Sequence, residues 1–222
     1  SRDATAETVA RLAQGLPQLR CHRLPANRGK GAAAKAGIAL ARGRYALLYD
    51  ADGATPIEEL EAFWQALPTY GAQPVLVGSR ARRGRLRQAA EGAPGWVRRL
   101  VSRLFGLPVR FLVPGVEDTQ CGFKLFETER VRAWLPMLKV DRFAFDVEWL
   151  HMATRQGVPV VELPVRWHDV PGSKVRLLPD GLGTCTDLFG IWLRGLKGHY
   201  AAPSPASAAP PSGNPSPFHR PQ

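Results

Sequence analysis

Two carboxylates, Asp50 and Asp52, stand one residue apart where the short apolar run Tyr45-Ala-Leu-Leu-Tyr49 ends. In an extended backbone, side chains two positions apart point the same way, so both acids are expected to face one ligand beyond the end of a strand. Hard divalent cations such as Mg2+ or Mn2+ take oxygen ligands and bind through one or two carboxylates plus the phosphates of a substrate, a role this pair suits. Taken alone, the pair fits a solvated turn after a strand equally well, because a chain with 19 acids produces such a spacing by chance.

The neighbouring elements shift that balance. Asn27-Arg-Gly-Lys-Gly31 opens the alanine-rich run 32–41, a good helix former, with Gly43 at a plausible C′ position. A glycine-bearing turn feeding a helix N-terminus, with two basic side chains beside it, is a place for an anion, although an ordinary loop–helix junction reads the same way. Thr55-Pro56 opens a further helix, 57–67, with proline in its first turn, and Pro74-Val-Leu-Val-Gly78 reads as a second buried strand that delivers Ser79 and Arg80. Helices alternating with short apolar strands predict an α/β fold with a mostly parallel sheet flanked by helices, and such sheets bind ligands beyond the carboxyl ends of their strands. Asp50, Asp52 and Arg80 all fall there.

Composition limits the alternatives. At 222 residues and 45% hydrophobic content the chain can bury one sizeable core. Residues 201–222 are dominated by Pro, Ser and Ala and lack apolar periodicity, which predicts a disordered tail. No apolar run is long enough to cross a bilayer. Cys21, Cys121 and Cys185 lie too far apart for a disulfide framework or a zinc site, and His22, His151, His168, His199 and His219 show neither metal spacing nor a nucleophile partner. The net charge of +11 is concentrated between positions 80 and 110, where Arg80, Arg82, Arg83, Arg85, Arg87, Arg98, Arg99, Arg103 and Arg110 face only Glu91. Such density suits lipid headgroups, a lipid phosphate or nucleic acid; interleaved aromatics and a reading motif are missing between 80 and 95, so no nucleic-acid partner is expected. Residues 181–200 carry Phe189, Ile191, Trp192, Leu193 and Leu196 beside Arg194, Lys197 and His199, the composition of a helix lying at a membrane interface or packed on the core. Trp96 to Phe105 offer a second segment of that kind.

Six segments then occur in order: Asn27-Arg-Gly-Lys-Gly31, Asp50-Ala-Asp-Gly-Ala-Thr-Pro56, Gly78-Ser-Arg80, Asp118-Thr-Gln-Cys-Gly-Phe-Lys124, Phe145-Asp-Val-Glu148, and Trp167 with Pro171-Gly-Ser-Lys174. Over about residues 1 to 198 this set resembles the inverting GT-A glycosyltransferases of family 2 that charge a polyprenyl phosphate, most closely the dolichyl-phosphate β-glucosyltransferases. The resemblance implies a GT-A (Rossmann-like) domain over 1–200 that transfers a hexose, glucose favoured, from a nucleotide-sugar such as UDP-glucose to dolichyl or undecaprenyl phosphate, with inversion. It implies Mg2+ or Mn2+ held by Asp50 and Asp52. Asn27, Lys30, Gly31, Asp50 and Gln120 are assigned to the nucleotide-sugar. Arg80, Arg98, Arg99, Ser173 and Lys174 are assigned to the acceptor phosphate, and Asp118, Asp146 and Arg80 to catalysis. Asp146 and Glu148, two apart on a helix, face different directions, so one is expected at the site and the other in a structural role. The implied place is peripheral, on the cytoplasmic side of a membrane; the Ala, Arg, Gly and Pro abundance favours a bacterial inner membrane over an endoplasmic reticulum.

Family members begin with a strand and a Pro-Ala-x-Asn-Glu turn, then a strand ending Asp-Asp-Gly-Ser, whereas this chain opens at Ser1-Arg-Asp3. The expectation is therefore a domain lacking its amino-terminal strand, with an inactive relative as the alternative to the enzyme. A processive polysaccharide synthase is disfavoured, since Leu163 stands at the glutamine position of a Gln-x-x-Arg-Trp motif ahead of Arg166-Trp167. Oligomeric state is not encoded in any segment.

Overall fold

The computed structural model describes residues 4–71, 73–80, 106–168 and 177–201, with side chains of the last helix from 183 onward. The elements run α1 (Thr5–Ala13), α2 (Lys30–Leu40), β1 (Tyr45–Tyr49), α3 (Glu59–Ala66) continued by a 3-10 turn (Leu67–Tyr70), β2 (Val75–Ser79), β3 (Phe123–Glu127), α4 (Thr128–Trp134), α5 (Phe145–Arg155), β4 (Val160–Pro164) and α6 (Leu177–Leu196). A further helical stretch covers 106–112.

The four strands form one sheet in the order β1-β3-β2-β4. β2 and β4 pair parallel, in the register Val75↔Val160 to Ser79↔Pro164, and β3 runs antiparallel to both β1 and β2. Three strands share one direction, but β3 lies between β1 and β2 and makes two of the three ladders antiparallel, so the sheet is mixed where a mostly parallel one was expected.

Alternation along the strands divides the core in two. Ala46, Val75, Val77 and Phe126 point to a large cluster with Val147, Trp149, Leu150 and Ile191, covered by α2, α4, α5 and α6. Leu76, Phe123, Leu125 and Val165 point the other way, onto Phe63 of α3. Ring edges lock both sides: Phe126–Trp149 at 5.4 Å, Phe145–Trp149 at 5.6 Å and Phe63–Phe123 at 5.0 Å between centroids.

α5 is buried from Phe145 through Ala153, as a helix packed between a sheet and another helix must be. Asp146 meets Lys124, Glu148 accepts loop amides, and His151 Nδ1 lies 2.7 Å from the Leu112 carbonyl, while Trp149 Nε1 and His151 Nε2 are buried without a hydrogen-bond partner among the described residues.

Several boundaries differ from the sequence reading. α2 starts at Lys30 and stops at Leu40, where Ala41 turns extended and its carbonyl accepts from Arg132; Gly43 is not the helix cap. The helix expected at 57–67 begins at Glu59 and tightens to 3-10 at Leu67, next to Pro68. The last helix starts at Leu177 and not at 181. Beyond Ala201, the expected disordered tail lies outside the described residues, as does the segment Trp96 to Phe105.

Because Phe126 is fully enclosed between β1 and α5, Phe126→Ala is expected to lose about 3–5 kcal/mol of stability. Denaturant unfolding should show a lower midpoint with an unchanged slope.

Candidate active site

β1 ends at Tyr49, yet its ladder with β3 continues for one more bond: the Asp50 amide donates to the Gly122 carbonyl at 3.0 Å. This lays the Asp50 carboxylate directly over Gly122. A Cβ added at Gly122 would sit 2.0 Å from Asp50 Oδ2, so only glycine leaves room for that acid. The other oxygen, Oδ1, meets Lys30 Nζ at 2.6 Å.

Past Asp50 the backbone turns, with Gly53 at φ +68 and its amide reaching back to the Asp50 carbonyl. The extended geometry expected for Asp50-Ala-Asp52 is therefore replaced by a turn, because glycine at 53 supplies the positive φ. Asp52 is exposed, and its Oδ1 accepts from the Ala54 amide at 3.0 Å. Tyr49 OH to the Thr55 carbonyl (2.9 Å) and the His168 amide to the Ala54 carbonyl (2.8 Å) tie the turn down. Among the described residues no group of three or more His, Cys, Asp or Glu side chains gathers. The donors offered to a cation are hard carboxylate oxygens, which fit Mg2+ or Mn2+ in type.

Arg80 leaves the end of β2 and is gripped by Asp118. Its Nε and Nη2 donate to the two carboxylate oxygens at 2.7 and 2.8 Å, and its amide adds a third bond at 3.0 Å. The guanidinium also lies over the Trp167 ring, 5.7 Å from its centroid. Glu162 of β4 fixes Asp118 from behind, accepting from the amides of Glu117 and Asp118 at 3.1 and 2.8 Å. Burial pushes the Asp118 carboxyl up, but the hydrogen bonds and charge of Arg80 outweigh it and hold the group below the ordinary carboxylate value. Asp118 is thus an anchor for Arg80 and not an acid open to solvent.

Lys124, on the inward face of β3, has no exposed surface and donates to the Cys121 carbonyl and to Asp146, both at 2.6 Å. Burial raises the Asp146 carboxyl above its ordinary value against the pull of Lys124. Asp146, expected as a catalytic group, is placed as an internal ion-pair partner. Glu148, its neighbour two residues on, turns to the loop 139–140. Lys124 and Glu162 were not singled out from the sequence; a lysine in the inward register of Phe123-Lys-Leu-Phe126 is the signal that marks the first.

Lys30 also borders a cavity of about 760 Å3 between the turn 27–30, the loop 141–143 and Gly183, Thr184 and Asp187 of α6. Asn27 lines it and accepts from the Gly29 amide at 3.1 Å, and the Ala32 amide donates to the Asp141 carbonyl, so two amides of the expected anion cradle already have partners. Gly31 is needed for close approach, since a Cβ there would lie 2.6 Å from that of Phe145. Gln120 is exposed at the mouth of the 118–122 loop. Arg98, Arg99, Ser173 and Lys174 lie outside the described residues.

Residues 1–126 match the description "Glycosyl transferase family 2". The chain belongs to that family. It is 40% identical over 185 residues to "Dolichyl-phosphate beta-glucosyltransferase ALG5C" of Trichomonas vaginalis, covering 80% of this chain and 53% of the relative. The human dolichyl-phosphate beta-glucosyltransferase is 37% identical over 205 residues, 89% of this chain and 62% of that one. The chain therefore spans between half and two thirds of these relatives' length. Both relatives are eukaryotic and give no support to the bacterial placement. A crystal structure of glucosyl-3-phosphoglycerate synthase from Mycobacterium tuberculosis, in complex with Mn2+, UDP-glucose and phosphoglyceric acid, aligns with 92% of this chain and 67% of its own at 19% identity and a TM-score of 0.47.

Asp118 supplies a test in pH. A carboxyl held low in the folded state stabilises above its unfolded value, about 3.9, and that contribution is lost as pH falls through the folded pKa. Asp118→Asn is expected to cost about 3–5 kcal/mol at neutral pH by leaving Arg80 without its counter-charge. The deficit relative to wild type should shrink below about pH 4, as followed by urea unfolding across pH.

Proposed function

We propose that this chain carries the catalytic domain of an inverting glycosyltransferase that moves glucose from UDP-glucose to a polyprenyl phosphate, dolichyl phosphate being favoured. The observation that carries the proposal is the Asp50 carboxylate seated on Gly122 beside Lys30, at the strand ends where open α/β sheets bind ligands. The similarity to dolichyl-phosphate beta-glucosyltransferases supports that chemistry.

An acceptor phosphate is already an anionic nucleophile. One of its oxygens attacks the anomeric carbon, the bond from that carbon to the diphosphate oxygen breaks, and UDP leaves with the electron pair, turning an α-linked donor into a β-linked lipid product. Repulsion between the two phosphates opposes this, at about 4 kcal/mol per pair of unit charges 4 Å apart at an effective dielectric near 20. Lys30 faces the diphosphate from the start of α2. Arg80, oriented by Asp118 and Trp167, presents the guanidinium edge that Asp118 does not use to the acceptor. Arg98, Arg99, Ser173 and Lys174 are proposed to share that anion. Asp50 and Asp52 are the residues that would hold Mg2+ or Mn2+, which when bound supplies Lewis-acid compensation for the leaving group. Gln120, exposed beside Asp118, is assigned to the sugar or diphosphate. Since the nucleophile needs no proton removed, Asp118 and Asp146 act by holding Arg80 and Lys124 in place.

An exposed apolar patch supports the lipid part of this reading. Phe111, Phe189 and Leu196 are each more than three-fifths exposed, and Phe111, Phe189 and Trp192 border an apolar hollow of about 190 Å3. No helix among the described residues is long and apolar enough to cross a membrane. The proposed setting is the face of a membrane that displays the lipid phosphate, with the endoplasmic reticulum favoured by the eukaryotic relatives.

Asp52→Asn is expected to lower transfer from UDP-glucose to a short-chain polyprenyl phosphate by at least about a hundredfold at fixed Mn2+, the scale of one lost transition-state electrostatic contact. The product of the wild-type chain should be the β-anomer by NMR. Undiminished transfer by the variant removes Asp52 from the site, and an α-anomer removes the single in-line displacement.

A further inference from the structure

Glu148 has no exposed surface, and both of its oxygens are engaged. Oε1 accepts from the Lys139 amide at 3.0 Å, Tyr200 OH at 2.6 Å and Arg194 Nη2 at 3.3 Å; Oε2 accepts from the amides of Lys139 and Val140 at 2.9 and 2.8 Å. Tyr200, also fully buried, receives a bond from Arg194 Nε at 2.8 Å, so its one proton is directed at Glu148. The end of the last helix is thereby bonded, through one carboxylate, to the backbone of the loop that follows α4.

That loop in turn supports the turn at the start of α2. The Asp141 carbonyl accepts from the Ala32 amide at 3.1 Å, and the Asp141 carboxylate holds Arg28 at 2.7 Å and Lys35 at 2.5 Å. There is no slack between the two segments: a Cβ on Gly29 would lie 2.4 Å from the Asp141 carbonyl oxygen, and one on Gly31 would lie 2.9 Å from that of Val140. Lys30, between those glycines, is the residue that reaches Asp50. Packed backbone of this kind transmits displacement, because it cannot compress.

We propose that Tyr200 is a positioning residue for donor binding: by holding Glu148, it sets loop 139–143 and through it the Asn27–Lys30 turn. The inference rests on the reading of that turn as the donor site. Tyr200 touches none of the groups assigned to the reaction, so its loss acts on affinity and leaves the chemical step alone. Tyr200→Phe keeps the buried ring and removes only the hydroxyl. Phe63→Leu, which loosens packing on the opposite face of the sheet, serves as a control for general destabilisation.

Two measurements on the full chain decide the matter. Amide hydrogen exchange on the ligand-free protein should speed up about tenfold at Lys139, Val140 and Ala32 in Tyr200→Phe, the scale of one charge-assisted hydrogen bond, and not in Phe63→Leu. Steady-state kinetics should show KM for UDP-glucose raised about five- to tenfold by Tyr200→Phe with kcat within twofold. Unchanged exchange at Ala32, unchanged KM, or the same changes in both variants overturns the proposal. If wild type neither binds nor turns over UDP-glucose, the donor-site reading fails, and exchange at Ala32 alone decides whether Tyr200 sets the turn.

Discussion

A lysine ammonium withdrawn entirely from water is the constraint around which this site is arranged. Removing such a charge from solvent costs several kcal/mol unless its protons are met by good acceptors. Lys124 meets two, the Cys121 carbonyl and Asp146, and those bonds tie β3 to α5 and to the loop 118–122 at one point. The loop is thereby held with Gly122 beneath Asp50 and Asp118 against Arg80. Removing either partner of the buried pair would leave a charge in the core, so the loop has little freedom to rearrange.

Three cation–anion pairs result near the same strand ends: Lys30–Asp50, Arg80–Asp118 and Lys124–Asp146. With three cations against three carboxylates the set is internally balanced and carries no surplus charge for an incoming diphosphate. A divalent cation arriving with the donor would restore that balance, which is a physical reason to expect the acids of a nucleotide-sugar site to be shared with a metal. Two further carboxylates accept from backbone amides. Glu162 holds the amides at 117–118 and Glu148 those at 139–140, so the loops on either side of the cleft are each fixed by an acid on a neighbouring regular element.

Much of this was legible in the residues. β1, α2 and β2 follow from apolar runs and glycine punctuation, and the ordered motifs point to the family before any coordinates. The extended reading of Asp50-Ala-Asp52 failed because Gly53 takes a positive φ and converts the strand end into a turn. The place of β3 was not legible, since no local pattern says that a later strand enters between β1 and β2. Lys124 shows what the reading lacked: its inward register is plain once the strand is known, but its partner is 22 residues away, and only the packing of α5 on the sheet brings Asp146 to it. Gly43 looked like a helix cap by type, yet the end of α2 is set by Arg132, 91 residues on, bonding the Ala41 carbonyl.

The central claim is geometric: Asp50 serves the donor because glycine at 122 lets its carboxylate lie there. Calorimetric titration of UDP into Gly122→Ala, with and without Mn2+, tests it most directly, since the added methyl must turn Asp50 aside while leaving the ladder bond between their backbones possible. The expected result is a folded protein, with a melting temperature within a few degrees of wild type, that has lost the Mn2+-dependent part of UDP binding. Wild-type UDP affinity and Mn2+ dependence in that variant would contradict the assignment of Asp50.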